Sequence, residues 1–379
     1  MYNLNLNLNL NITEFLTSHW QKKPLVIKNA FTNFADPISA DELAGLACEE
    51  ELSSRVIVTQ ENGWDIIQGP IEDYSEFGEK NWQLLVQAVN HWYADASPLI
   101  EAFRFIPDWR FDDLMVSFAT PGGGVGPHID NYDVFLLQGE GTRRWKVGAK
   151  GQYSPRGGDT NTALIDDFDP IIDVVLESGD MLYIPPGYPH CAETLTTALS
   201  YSIGFRAPSQ QELLTGIADH LLDTNTGLKR FTSSSEPTSA ATLPVEQQQE
   251  MLSLLNELLQ QPEHYQAVLG QMLSQNRFEL DISEPEVPYS LDELESALSE
   301  GAEIHRIGGL KVILLEDDVN NRLFINGEIV NFTSSDRRQI SKIADALKMT
   351  NREANTLCQS DELAHFIVEQ LNRGYYYLN

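Results

Sequence analysis

Two short runs of this chain carry side chains able to hold a metal. Pro127-His128-Ile129-Asp130 sets an imidazole and a carboxylate two residues apart, and Pro185-Pro186-Gly187-Tyr188-Pro189-His190 brings a second imidazole behind a proline-stiffened turn. On extended backbone, residues two apart project to the same side, so His128 and Asp130 can grip one ion together. Two imidazoles and one carboxylate cover one face of an octahedral ion and leave the opposite face open. That arrangement suits non-haem Fe(II), which needs vacant positions for a co-substrate and dioxygen. Imidazole also suits zinc, so ligand types alone do not name the metal. His19, His91, His220, His264, His305 and His365 lie outside such turns and read as ordinary surface or core residues.

Thr142-Arg143-Arg144-Trp145 follows the first pair closely. A guanidinium inside a β-rich domain is costly unless an anion pairs with it, and a dicarboxylate co-substrate supplies one through a bidentate hydrogen bond. Strand alternation sends Arg143 and Arg144 to opposite faces, so one points inward, and the residues leave open which. Ser117 can add a hydroxyl to the same carboxylate. Asp133 is a candidate partner for a cationic substrate, with an exposed loop acid as the plain alternative. Cys191, next to a candidate ligand, reads as a small packed residue.

These groups fall in a segment built of short strands. Strand-like runs recur at 114–119, 134–137, 144–147, 172–176, 181–184 and 199–205, separated by turns such as Pro121-Gly122-Gly123-Gly124. Many short strands with Gly- and Pro-rich turns predict a sandwich or barrel, most naturally a jelly roll. Upstream, residues 3–12 alternate Asn with Leu or Ile, helices are expected near 13–20 and from Ser39, and 56–69 is strand-like. Residues 82–92 read as an amphipathic helix with Leu84, Leu85, Ala88, Val89 and Trp92 on one face.

After Pro208 the strands stop. Ser209-Gln210-Gln211-Glu212 is a capping box, and helical stripes follow through Leu213–Leu222, Met251–Leu259 and 265–273, with an exposed linker at 232–244. Such stripes most often form intramolecular core, but a helical block between two β-rich regions also fits a dimer interface, the reading favoured here. A second capping box at Ser290-Leu291-Asp292-Glu293 opens the last region. Strands are expected there at 303–306, 311–315 and 323–330, with a hairpin turn at Asn326-Gly327 and helices at 340–347 and 363–371. Helices with a β-wing suggest a winged-helix module. Arg337, Arg338, Lys342 and Lys348 are interleaved with acids, so a protein-contacting or structural role is expected rather than direct nucleic-acid reading.

The runs Pro121 to Asp133, Gly179-Asp180-Met181-Leu182-Tyr183-Ile184-Pro185-Pro186-Gly187 and Tyr201-Ser202-Ile203-Gly204-Phe205-Arg206-Ala207-Pro208 resemble the bacterial JmjC ribosomal oxygenases of the cupin-4 family. The likeness extends over nearly the whole chain and is strongest from Asp112 to Pro208. It implies a mixed α and β fold: a double-stranded β-helix, the JmjC cupin jelly roll, at 1–208, a helical dimerisation segment at 209–280, and a winged-helix-like domain at 281–379. It implies that His128, Asp130 and His190 bind Fe(II), and that Arg143, assisted by Ser117, pairs with the distal carboxylate of 2-oxoglutarate. With dioxygen as co-substrate, the implied reaction is hydroxylation of an arginyl side chain at its β-carbon in a basic large-subunit ribosomal protein. Succinate and carbon dioxide are the by-products. A histidyl hydroxylase, a methyl-lysine demethylase and a non-catalytic metal-binding cupin are the rival readings. Ser200 departs from the pattern, standing where asparagine is expected.

Composition agrees with this setting. The formal net charge is −31, with 56 acidic residues against 25 basic ones. So acidic a chain repels phosphate backbones and attracts basic proteins, with service to solubility alone as the plain alternative. The 3 cysteines form no CxxC pair, no apolar run approaches a membrane-spanning length, and no signal-peptide pattern opens the chain. A cytoplasmic homodimer that stays off the membrane is the expectation.

Overall fold

The computed structural model describes residues 12–61, 63–156, 164–234, 239–333 and 336–379. The alternation expected over 3–12 therefore lies outside the described residues, except for Ile12, which begins a helix. The chain divides into two compact units, one running to Ala207 and including Arg277–Asp281, the other comprising Pro208–Asn276 and Ile282–Asn379.

The first unit is two facing antiparallel sheets. Its strands are β1 (Leu25–Ile27), β2 (Ser54–Gln60), β3 (Gly63–Gln68), β4 (Trp82–Val86), β5 (Phe111–Ala119), β6 (His128–Ile129), β7 (Asp133–Gln138), β8 (Arg143–Gly148), β9 (Pro170–Leu176), β10 (Met181–Ile184), β11 (Pro189–Thr194) and β12 (Ala198–Phe205). The eight-stranded sheet runs β1-β10-β7-β12-β5-β4-β2-β3, and the four-stranded sheet β6-β11-β8-β9. Helices α1 (Ile12–Ser18), α2 (Ala40–Leu46), α3 (Val89–Trp92) and α4 (Ser97–Glu101) belong to the same unit.

Period two sorts the large sheet into faces. Val56, Leu84, Val86, Leu114, Val116, Tyr201 and Ile203 join the main core with Phe15 of α1 and Leu43 of α2. Their neighbours Arg55, Ile57, Gln83, Leu85, Met115, Ser117, Ser200 and Ser202 turn the other way and line a cavity. The ladder keeps these inward residues abreast, with Ile57 opposite Gln83, Leu85 opposite Ser117, Ser117 opposite Ser200 and Ser202 opposite Leu136.

The helix expected over 82–92 is not there. Trp82–Val86 is the strand β4, paired on both edges, and only Val89–Trp92 is helical. All five residues of β4 are buried. A strand covered on both faces reads as a continuous apolar run, and its period cannot be told from that of a buried helix.

The second unit begins with α5 (Gln210–Asp223), α6 (Val245–Leu259) and α7 (Pro262–Ser274). It continues with α8 (Leu291–Ser299), β13 (Ile304–Arg306), β14 (Val312–Ile313), β15 (Arg322–Ile325), β16 (Glu328–Asn331), α9 (Arg337–Asp345), β17 (Lys348–Met349), α10 (Asn351–Leu357), α11 (Asp361–Asn372) and β18 (Tyr376–Leu378). Two three-stranded sheets, β14-β15-β16 and β17-β13-β18, accompany the helices. Both expected capping boxes form, Ser209 with Glu212 and Ser290 with Glu293. Asn326 and Gly327 have φ of 46° and 82°, the left-handed pair that a two-residue hairpin requires. The linker expected at 232–244 falls partly on residues outside the description.

Candidate metal centre and active site

His128 on β6 and His190 on β11 are direct cross-strand partners, and their ring centroids lie 4.2 Å apart. Asp130 follows β6 and turns its Oδ2 to 3.9 Å from His128 Nε2 and 3.6 Å from His190 Nε2. One ligand atom from each of the three lies within 4.8 Å of the others, close enough to share an ion.

The backbone settles which ring nitrogen is free. His128 Nδ1 lies 2.8 Å from the Gly126 carbonyl, and His190 Nδ1 lies 3.1 Å from the Tyr188 carbonyl. A carbonyl only accepts, so each Nδ1 carries the proton and each Nε2 keeps its lone pair for a metal. Burial, seconded by the nearby His128, lowers the His190 pKa to about 4, so its imidazole is neutral at ordinary pH.

Two glycines make the geometry possible. Gly187 has φ of 85°, a conformation side chains resist, and its N–H donates to the Asp130 carbonyl at 2.8 Å, tying the two ligand runs together. Gly126 lies against the indole of Trp64, where an added Cβ would run into Cη2 and Cζ2 of the ring, too close to be tolerated.

Arg143, rather than Arg144, enters the interior. Arg144 points to solvent and pairs bidentately with Asp173 at 2.7 Å through both nitrogens. Arg143 is 4% exposed. It donates to Gln83 Oε1 at 3.1 Å and weakly to Ser117 Oγ at 3.4 Å, and its Nε has no partner. Among the described residues no carboxylate pairs with it, and burial alone brings its pKa down to about 10. A buried cation left with only neutral partners is poorly compensated, and an anion entering the cavity would pair with it.

Metal ligands and Arg143 line one cavity of about 370 Å³. Ser117 and Ser200 also line it. The Ser200 hydroxyl donates to Gln138 Oε1 at 3.3 Å, and Ser117 donates to the Ser200 carbonyl at 3.5 Å.

Asp133 is neither a substrate contact nor an exposed acid. It is 1% exposed and holds Tyr183 at 2.5 Å, Arg110 at 3.1 Å and Gln21 at 3.3 Å, a buried network away from the cavity. Besides Asp130, the acids among the described residues on the cavity wall are Asp112 and Asp113, at the start of β5, near Arg55, Tyr132, Met115 and Arg277. Asp112 pairs with Arg277 at 2.7 Å. Asp113 accepts one backbone N–H from Ala88 at 3.3 Å, and burial, with Asp112 beside it, raises its pKa to about 6. Neither acid stood out in the sequence, because only the folded sheet shows which residues reach the cavity wall. Gln83 escaped for the same reason, hidden in a run that reads as helix.

Known proteins agree with this arrangement. Residues 98–213 match the model of the JmjC domain, and residues 257–377 that of the ROXA-like winged helix. The chain is 43% identical to the ribosomal protein uL16 3-hydroxylase of Escherichia coli K12, over 96% of both chains. It is 34% identical to a probable ribosomal oxygenase of Haemophilus influenzae, over 83% of this chain and 80% of that one. The structure of YcfD, a ribosomal oxygenase from Escherichia coli, in complex with cobalt and 2-oxoglutarate superposes with a TM-score of 0.90. Its identity is 42%, with each chain wholly covered. Identity of this order over nearly the whole of both chains, together with the domain match, shows that the chain belongs to the JmjC ribosomal oxygenases.

Proposed function

We propose that this protein is an Fe(II)- and 2-oxoglutarate-dependent hydroxylase of an arginyl residue in a large-subunit ribosomal protein, the homologue of uL16, giving 3-hydroxyarginine. The observation that carries the reading is the coincidence, in one cavity, of the three-ligand face of His128, Asp130 and His190 with a buried Arg143 that has no carboxylate partner among the described residues. In this reading His128, Asp130 and His190 are both the metal ligands and the catalytic residues, and Arg143 with Ser117 binds the co-substrate.

Bound iron and 2-oxoglutarate supply the oxidation: dioxygen is consumed, succinate and carbon dioxide leave, and one oxygen enters a substrate C–H bond. The chain's own part is binding and exclusion. The two backbone-locked imidazoles and Asp130 present three ligands on one side and leave the cavity side open. Arg143 and Ser117 hold the carboxylate of the co-substrate remote from the metal. Asp113 offers a poorly compensated carboxylate to the incoming guanidinium, with Met115 and Tyr132 as apolar walls for its methylene stem. A charged carboxylate in a half-dry cavity favours a cationic side chain over a neutral imidazole.

The net charge of −31 supports a basic protein partner. A homodimer paired through 209–280 is part of the proposal. It is supported by α5 and α6, neither of which has a buried residue in the single chain, while Leu222 and Leu252 are 78% and 61% exposed. The division into domains at 208 and 280, and a cytoplasmic setting, belong to the same reading. No helix among the described residues is long and apolar enough to cross a membrane.

The test is mass spectrometry of the purified ribosomal protein after incubation with the enzyme, iron, ascorbate and 2-oxoglutarate. A gain of one oxygen on arginine is expected, reduced at least a thousandfold by His128→Ala. Oxidation on histidine, loss of a methyl group, or no change would each reject the reading.

A further inference from the structure

We infer that Gln83 is a third arm of the co-substrate site, acting on the carboxylate that Arg143 receives. The inference rests on the 2-oxoglutarate reading above and adds a residue that the metal-binding motifs do not contain. Gln83 sits at the second position of β4, between two strands of the large sheet, and is 2% exposed. An amide buried so deeply in a sheet is expensive unless both ends are satisfied. Only one end is. Arg143 Nη2 donates to Gln83 Oε1 at 3.1 Å, and because a guanidinium cannot accept, the amide oxygen must face Arg143. The NH2 group therefore faces elsewhere, and among the described residues it makes no hydrogen bond. Gln83 lines the same cavity as Arg143, Ser117 and the metal ligands.

Three polar groups thus converge on one end of the cavity: the unpaired Nε of Arg143, the Ser117 hydroxyl and the free NH2 of Gln83. The set contains two kinds of N–H donor, a hydroxyl and one positive charge. This composition recognises a carboxylate and has no use for a neutral or cationic group. Gln83 plays two parts in it. Its oxygen fixes the tilt of the Arg143 guanidinium before ligand arrives, and its nitrogen donates to the arriving carboxylate. Ser200, abreast of Ser117 on the next strand, is committed to Gln138 and leaves that donor position to Gln83.

The experiment uses the full chain, without oxygen, with Mn(II) in place of iron, and measures binding calorimetrically. Two probes are titrated: 2-oxoglutarate, and oxalate, which chelates a metal through adjacent carboxylates but has no distal one. In Gln83→Met, which removes the amide at nearly constant volume, the Kd for 2-oxoglutarate should rise about 10- to 100-fold, the loss expected for a charge-assisted hydrogen bond. The Kd for oxalate should stay within about twofold. Gln83→Glu keeps an oxygen for Arg143 but loses the donor and neutralises the guanidinium, so its loss for 2-oxoglutarate should be at least as large. Unchanged 2-oxoglutarate binding in either variant would overturn the inference. So would an equal loss for both probes, which would mark Gln83 as purely structural. Failure of the unmodified protein to bind 2-oxoglutarate would instead strike the parent reading, and the inference with it.

Discussion

Asp113 shows how one side chain's surroundings decide its use. Burial and Asp112 oppose its charge, while Arg277, the Ala88 N–H and Arg55 only partly compensate, and the pKa stands at about 6. Since the folded chain holds this proton more tightly than the unfolded one, its contribution to stability is present at low pH. That contribution is lost as pH rises through about 6. In the proposed function substrate capture would run the other way, because a guanidinium needs the ionised carboxylate. The KM for the ribosomal substrate should therefore fall as pH rises through about 6, as measured by succinate release across that range. Asp113→Asn should raise KM about tenfold or more and abolish the inflection, while leaving 2-oxoglutarate binding intact. A variant that kept the same pH profile would assign substrate recognition to another group.

Strands and turns act by bringing distant residues abreast. The pairing of β6 with β11 sets His128 opposite His190, and the Gly187 N–H locks Asp130 beside them. Gly126, just before β6, leaves room for the Trp64 indole of β3, and Arg156 stacks at 4.6 Å from the centre of that indole. Gly126→Ala should force strand and indole apart. A loss of stability of about 1–3 kcal/mol is expected from overpacking, with weaker metal retention because the Gly126 carbonyl orients His128. Thermal denaturation and metal titration would measure both. Trp64→Ala in the same chain should restore most of the loss. If it did not, the backbone of residue 126 rather than its neighbour would be the limiting feature.

At the scale of the whole molecule, the proposed dimer rests on two helices. Helices α5 and α6 carry leucines at helical spacing, yet no residue of either is buried. Isolated exposed leucines are common, but stripes along two helices of a chain with −31 net charge are what the proposed dimer would cover. Light scattering of the full chain should give twice the chain mass of 42.6 kDa. Leu222→Asp with Leu252→Asp should shift it to the single mass without loss of helical signal. A single mass for the unmodified chain would remove the dimer from the proposal.

Much of this was legible from residue order. The two ligand runs are marked by their prolines and glycines, the capping boxes at Ser209 and Ser290 by local spacing, and the 326–327 hairpin by the Asn-Gly pair. All of these are local: each depends on a few neighbouring residues and on backbone geometry that those residues themselves impose. What tertiary structure alone decided is which side chains share an interior. Arg143 and Arg144 are equivalent in the sequence until the sheets face each other and one is swallowed while the other finds Asp173. Asp133 could be placed in an active site or on a loop until Arg110 and Tyr183 claimed it. Gln83 and Asp113 entered the cavity through strand register across the large sheet. Register is set by pairing between segments far apart along the chain, so no local pattern announces it.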